Sequence, residues 1–333
     1  MSATIKDVAR ATGLSIATIS KYLNGGNVLP VNRERIEEAV RELGFRVNTI
    51  ARGLKTSRTM TVGVLIPDLM NPFCTTLVSN VESILGRYGY SVMLCDYGRD
   101  PLQEAEKVRF LLSKRVDGIL AIPQRGWALD GQQGEDRGVP VVFVDRAIAG
   151  IACDTVLVDN RDASYRAVDS LLRRGHRRVG IIAGPLDIYT ARERLAGYRA
   201  AHENLGLPVD ETLVKRGDYE MEGGYLLMNE LLDMQDRPTA VHVTNYHMTL
   251  GAVMAINERN VRLPEDLSFI GFDNLNLASV VKPTLTIVVQ PMEQLAQTAA
   301  AVLLKRMAGD RAGFPEVYRL PTELVEGESV RSL

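Results

Sequence analysis

From residue 61 onward, polar side chains recur directly after short apolar runs. Asn71-Pro-Phe73 follows the first run, Asp145-Arg146 follows Val-Val-Phe-Val144, and Thr190 and Arg194 come after Gly184-Pro185. Tyr219 follows Gly217-Asp218, Asn245 follows Val-Thr244, Asp273 follows Ile-Gly-Phe272, and Gln290 precedes Pro291. Arg194, Asn245 and Asp273 offer the planar, paired hydrogen bonds that a polyhydroxylated ring requires, and Phe73 and Tyr219 offer aromatic faces to its C–H surface. This is the chemistry of binding. No G-x-G-x-x-G follows the first apolar run, and neither G-x-x-x-x-G-K-[ST] nor G-x-S-x-G occurs, so no catalytic constellation is in view. An Asp or Asn at a strand end also serves as a helix cap, and Asp68 is read as a turn or cap.

A second chemistry sits at the front. Thr4-Ile-Lys-Asp-Val-Ala-Arg-Ala-Thr12 reads as a short helix opened by a Thr4/Asp7 capping box and closed by Gly13. Ser15 can cap a second helix through Leu23, which carries Ile16, Ala17, Thr18, Ser20 and Lys21. Two short capped helices joined at a glycine are a helix-turn-helix pattern, whose second helix enters a major groove. Charge agrees. Within residues 1–60, ten Lys and Arg oppose five acidic residues, a balance of +5, whereas the whole chain is −2, which leaves −7 for the remainder. A basic arm on an acidic body is the footprint of a nucleic-acid binder.

These residues need elements to hold them. Asn32 is expected to cap a third helix over 33–43, with Ile36, Ala39, Val40 and Leu43 at helical spacing. Residues 48–60 suggest a short helix with Ile50, Ala51 and Leu54 on one side, too short to be stable alone in water. A leucine on a basic hinge can wedge between base steps in a minor groove. From Thr61, apolar runs alternate with amphipathic helices, including one over Phe73–Tyr88, which predicts doubly wound parallel sheets. Trp127–Arg137 reads as a helix. A second set of elements begins near Asp154, which implies two lobes with ligand bound beyond the strands' carboxyl ends.

Thr-Ile-Lys-Asp-Val-Ala, Thr-Ile-Ser-Lys-Tyr-Leu-Asn24 and Asn48-x-x-Ala-Arg-x-Leu54 resemble the headpiece and hinge of the lactose/galactose repressor family, and the likeness runs to about residue 328. The resemblance implies an all-α helix-turn-helix headpiece on an α/β core of two doubly wound parallel-sheet lobes, similar to periplasmic binding proteins. It implies a headpiece over 1–47, a hinge over 48–60 and a core over 61–333. Lobe one would take 61–160 plus 285–320, and lobe two 161–284 plus the C-terminal segment. Ile16 and Ala17 then occupy base-reading positions, Thr18, Ser20 and Lys21 contact phosphates or bases, and Leu54 intercalates. Thr4, Ser15, Asn24, Asn48, Arg52 and Lys55 complete the DNA-contacting set. The implied effector site comprises Phe73, Asp145, Arg146, Thr190, Arg194, Tyr219, Asn245, Asp273 and Gln290.

Three departures stand out. Lys21 replaces a common Arg, giving up bidentate recognition. Val47 replaces the usual Pro before the hinge. Tyr246-His247 stands where a carboxylate is usual, which alters the expected ligand. Arg125, Arg146 and Arg194 facing the cleft would suit an acidic or phosphorylated sugar. His176, in Arg-Arg-Gly-His-Arg-Arg, reads as structural.

The implied function is a dimeric regulator on a near-palindromic operator, released by a sugar or sugar acid. The alternatives are an effector that tightens DNA binding and a sugar-binding protein that does not bind DNA. A tetramer would require pairing of dimers. Apolar content of 46% and charged content of 24% fit a globular protein. No apolar run is long enough to span a membrane and the N-terminus lacks a signal core, so a cytoplasmic location is expected. Cys74, Cys95 and Cys153 are too far apart for a metal or redox motif, and the four histidines are scattered, so no metal or cofactor is expected.

Overall fold

The computed structural model describes residues 3–23, 26–45, 58–124, 127, 138–273 and 275–333. They divide into two compact units, one ending at Thr59 and the other beginning at Met60. Expectations for Val47, the hinge at 48–57, Arg125 and residues 128–137 lie outside the described residues. Trp127 is described; it is buried, with its ring edge-on to Phe143 at 5.1 Å.

Among its described residues the first unit holds three helices: α1 (Ile5–Thr12), α2 (Ile16–Leu23) and α3 (Pro30–Glu42). The Asp7 carboxylate accepts both the backbone N–H (2.9 Å) and the hydroxyl (2.7 Å) of Thr4, which anchors the first turn of α1. Gly13 takes a left-handed φ of 68° and donates to Ala9 O, ending the helix where a side chain would be strained. Ser15 Oγ accepts the Thr18 N–H at 3.1 Å, starting α2. Val8, Ile19, Ile36 and Ala39 form the small core. Helix α3 begins at Pro30 rather than after Asn32, because proline presets the helical φ at the first position.

In the second unit, apolar runs become buried parallel strands. The first sheet has the order β11-β5-β4-β3-β1-β2, all parallel. Its strands are β1 (Thr61–Ile66), β2 (Ser91–Asp96), β3 (Gly118–Ala121), β4 (Val141–Val144), β5 (Asp154–Val158) and β11 (Val317–Leu320). The second has the order β12-β10-β9-β8-β6-β7, built from β6 (Val179–Ala183), β7 (Val214–Arg216), β8 (Ala240–Val243), β9 (Ser268–Phe272), β10 (Thr286–Val289) and β12 (Glu323–Val325). Only β12 runs antiparallel to its neighbour among these described strands.

Two expectations are corrected. The strand at Val156–Val158 does not open the second set; β5 pairs with β4 and β11 in the first sheet. Residues 285–289 do not return to the first lobe, because β10 pairs in register with β9 (Thr286 opposite Ile270) in the second sheet. The chain crosses back only at Gln290-Pro291, entering α11 (Met292–Met307), whose Leu295, Ala296, Ala299 and Leu303 pack into the first lobe's core. Segments of one or two residues make each of the three crossings, between β5 and the next helix, between β10 and α11, and between β11 and β12. Short crossings of this kind act as a hinge while leaving each sheet intact.

Candidate effector cleft and DNA-reading face

The carboxyl ends of both sheets meet at an interlobe cleft with a volume of about 60 Å³. All nine expected effector residues line it. How they do so differs.

Asp145 follows β4 in a left-handed conformation (φ 67°), its N–H bonded to Val156 O, and Arg146 Nε stands 3.4 Å from Asp145 Oδ2 with no hydrogen-bond partner among the described residues. Burial raises the Asp145 carboxyl above its ordinary value, against the charges of Arg146 and Arg194. Asn71 caps the helix over Pro72–Arg87 (α4) by accepting the Phe73 N–H at 3.0 Å, which sets Phe73 at the lip of the cleft. Asp273 is again left-handed (φ 66°), with its N–H on Val288 O and its Oδ1 accepting Gln290 Nε2 at 2.7 Å. Burial lifts Asp273 to about 6, outweighing Arg194 and Gln290. Gln290 Oε1 is buried and has no partner among the described residues.

Thr190 and Arg194 project from the helix over Tyr189–Asn204 (α7). Thr190 Oγ1 lies 3.2 Å from the Tyr219 hydroxyl. Arg194 is almost fully buried. Its Nε donates to Asn160 Oδ1 at 2.8 Å, its Nη1 to Thr244 O at 2.5 Å, and its guanidinium lies 3.7 Å above the Phe272 ring. Arg194 therefore orders the second lobe's strand ends as well as lining the cleft. Asn245 is a cap in fact: its Oδ1 accepts the Met248 N–H and its Nδ2 donates to Tyr219 O. Its amide positions Tyr219, whose ring lies under Gly184, where a Cβ would stand 2.1 Å from Tyr219 Cε1.

The reading of Asp68 as only a turn residue is corrected. Its Oδ1 accepts the Met70 N–H at 2.8 Å, but its Oδ2 takes a 2.6 Å bond from Arg99 Nη2. Arg99 also contacts Glu220 of the second lobe through Nη1, and His247 Nε2 stands 3.4 Å from Asp68 Oδ2. Burial pushes the Asp68 carboxyl up, but the Arg99 bond, the Met70 N–H and the charges of Arg99 and His247 outweigh it and hold it below its usual value. Burial lowers His247, with Asp68 opposing. Sequence reading missed Arg99, Glu220 and His247. Arg99 follows β2 in Tyr97-Gly-Arg, the same strand-end signal that marked the others.

In the first unit, α2 buries Ile19 and leaves Ser15, Ile16, Ala17 and Lys21 exposed, with Thr18 and Ser20 half-buried beside them. Ile16 is 44% exposed, an apolar side chain offered to solvent at the head of the second helix. Thr4 is exposed at the start of α1. The expected DNA contacts Asn24, Asn48, Arg52, Leu54 and Lys55 lie outside the described residues. Among the described residues, no group of three or more His, Cys, Asp or Glu could hold a metal, and no helix is long and apolar enough to cross a membrane. The three cysteines are buried and form no disulfide. His176 is buried between Thr239 Oγ1 and Arg331 O, in the structural role expected.

A helix-turn-helix unit followed by two parallel-sheet lobes around a polar cleft defines a ligand-responsive DNA-binding regulator. Residues 4–48 match the bacterial regulatory proteins of the lacI family, and residues 168–330 match the periplasmic binding protein-like domain. The transcriptional repressor CytR of Escherichia coli strain K12 is 34% identical over 100% of this chain and 97% of its own length. The transcriptional repressor PurR of Vibrio atlanticus is 33% identical over 99% of each chain. The Lac repressor dimer bound to operator and the anti-inducer ONPF superposes with a TM-score of 0.88 at 26% identity, covering 100% of both chains. The chain belongs to the lacI family. It is a helix-turn-helix transcriptional regulator of the repressor class and not an enzyme.

Proposed function

We propose that this protein represses its target genes as a two-fold dimer on a near-palindromic operator and is released when a neutral sugar binds in the interlobe cleft. Residues 1–47 serve as the headpiece, 48–60 as the hinge and 61–333 as the sensing core. The observation that carries the choice of ligand is the charge of the cleft. Asp68, Asp145, Asp218 and Asp273 line it against Arg99, Arg146 and Arg194. Arg99 is engaged by Asp68 and Glu220, and Arg194 is bonded within the second lobe. Arg146 faces the cleft with Asp145 beside it. An acidic or phosphorylated sugar would meet more carboxylates than unengaged guanidiniums, whereas a neutral polyol can donate to Asp145, Asp273 and Gln290 and accept from Arg146.

Dimerisation is supported by apolar side chains left exposed on the second unit, among them Leu69, Met70 and Leu94 on the first lobe and Met221, Leu226, Met254 and Val280 on the second. A second copy meeting both lobes would bury them, with α4 contributing, and would present two headpieces to two half-sites. Ile16 and Ala17 read base edges, Thr18, Ser20 and Lys21 fix the phosphates, and Leu54 wedges the operator centre. Effector binding changes the angle between the lobes and the spacing of the hinges; coupling of ~1–3 kcal/mol would alter operator affinity by up to about a hundredfold.

The test is selection of bound fragments from genomic DNA by the full-length protein, followed by gel-shift titration with neutral sugars and sugar acids. Release by a neutral sugar supports the reading; release only by an acid, or tighter binding with ligand, overturns the corresponding part. Leu54→Ala should weaken the selected operator far more than random duplex, and equal losses would exclude the wedge.

A further inference from the structure

The uncovered side of α2 is mostly apolar. Among the eight described residues of this helix, only Ile16, Ala17 and Lys21 are exposed, while Thr18 and Ser20 are half-buried and Ile19 is fully buried. The polar groups at the helix head are already engaged with one another. Ser15 Oγ accepts the Thr18 N–H at 3.1 Å and lies 2.9 Å from Thr18 Oγ1, so the two hydroxyls share a hydrogen bond. The Tyr22 hydroxyl donates to Glu37 Oε1 at 2.6 Å, and the same oxygen takes a 2.9 Å bond from Arg33 Nε, which ties α2 to α3. With Ile19 in the core and Tyr22 bonded to α3, the helix is held from turning a different side outward. Its head therefore offers a surface of methyl groups at Ile16 and Ala17. Further along, the charge on the same side is the Lys21 ammonium, a point donor without a fork.

In the major groove a base pair presents hydrogen-bonding atoms, and the one apolar group it can present there is the thymine C5-methyl. An isoleucine or alanine side chain pressed on guanine N7 and O6, or on the cytosine amino group, strips water from them and returns no partner, which is unfavourable. Against a thymine methyl the same side chains bury apolar surface and strand nothing. We propose that Ile16 and Ala17 read thymine C5-methyl groups. Each operator half-site then carries A·T pairs under the head of α2 and is recognised there by methyl contact rather than by hydrogen bonds. The proposal rests on the reading of these two residues as base contacts and adds the chemical group they touch. It also accounts for Lys21: once methyl contacts set the sequence, a point charge is sufficient for a phosphate and no arginine fork is required.

The experiment alters the DNA and leaves the protein whole. The operator selected by the full-length protein is synthesised with each thymine replaced in turn by uracil, which removes the methyl and keeps every hydrogen-bonding atom, and affinities are read by gel-shift titration. At one or more thymines of each half-site, uracil should weaken binding about fourfold, the worth of one buried methylene-sized group. Ile16→Ala or Ala17→Gly should bring that thymine-to-uracil affinity ratio close to one. The ratio is taken within each variant, so a general loss of affinity or stability cancels. A clear sequence preference without uracil sensitivity overturns the methyl contact and leaves the regulator reading standing. Sensitivity retained in full by both variants assigns the methyls to other residues and overturns the proposal. Absence of any sequence preference overturns the base-reading role of α2 and this inference with it.

Discussion

Asp68 and His247 face each other across the cleft, one from each lobe, with Oδ2 and Nε2 3.4 Å apart. The Arg99 guanidinium holds the same Asp68 oxygen at 2.6 Å and reaches Glu220 on the opposite lobe. This cluster ties the two lobes together at the rim, where closure must make and break contacts. A partly exposed ion pair of this sort contributes about 1 kcal/mol at most. Arg99→Ala should therefore weaken effector binding by about fivefold, read by calorimetry; an unchanged affinity would mean the rim pairs do not hold the lobes.

The same cluster carries a pH dependence. His247 lies below its ordinary value of 6.5 because burial disfavours its charged form, with Asp68 opposing. A depressed value means that protonation works against the state in which it is depressed. The packing of His247 against Asp68, which joins the two lobes, is favoured above 6.5 and loses that contribution as pH falls below it. Asp273, raised to about 6 by burial, titrates in the same range with the opposite sign, since its protonation relieves a buried charge. Comparing wild type with His247→Phe isolates the histidine: the variant should lose less effector affinity between pH 7.5 and 5.5 than wild type does. Parallel profiles would count against the assignment.

Arg194 has a geometry that lysine cannot copy. Its Nε and Nη1 reach Asn160 and Thr244 O at once while the planar group stacks on Phe272. Arg194→Lys keeps the charge but leaves a buried partner unsatisfied, at a cost of roughly 1–3 kcal/mol in stability. Thermal unfolding should register that loss, and effector affinity should fall tenfold or more. Retention of both would show the fork to be dispensable.

Gly184 leaves no room for a side chain, because an added Cβ would stand 2.1 Å from the Tyr219 ring. Gly184→Ala must displace Tyr219 from its place beside Thr190. Overpacking of this kind costs about 1–3 kcal/mol, and effector binding should weaken together with the melting temperature. A variant with wild-type affinity would remove Tyr219 from the ligand site.

His242, fully buried in β8, has Nδ1 3.2 Å from Ile270 O and Nε2 without a partner among the described residues. Burial lowers it to about 4. The folded protein thus takes up a proton here less readily than the unfolded chain, and stability should fall between pH 6.5 and about 4, by roughly 3 kcal/mol from this residue. His242→Leu should flatten the slope of denaturant stability against pH in that window, whatever its offset. An unaltered slope would assign the dependence to the other buried histidines, His176 and His202, whose values burial also lowers.

Local physics made the headpiece readable in advance. Thr4 with Asp7, Gly13 and Ser15 act within three or four residues of the groups they satisfy, so their roles follow from spacing. The exception was the start of α3, where Pro30 overrode Asn32. Apolar runs such as Val141–Val144 and Ser268–Phe272 likewise announced buried parallel strands, since a strand covered on both faces has no polar side to show. The rule that ligands bind beyond strand ends then found all nine expected cleft residues.

Sheet membership was not readable in that way. Residues 154–158 and 286–289 have the same apolar character as strands of either lobe, and only pairing across the fold assigned β5 to the first sheet and β10 to the second. The division of labour among polar residues was equally hidden: Asn245 became a cap, and Asp68 turned from a loop residue into half of an interlobe contact. Arg99 and Glu220 are 121 residues apart, and no periodicity connects them. The sequence alone determined which segments are helix, strand and DNA-reading face, because those depend on neighbours along the chain. Which lobe each strand joins, which cleft residues are free to meet a ligand and what ties the lobes together depended on contacts between distant segments, and these exist only once both sheets have formed.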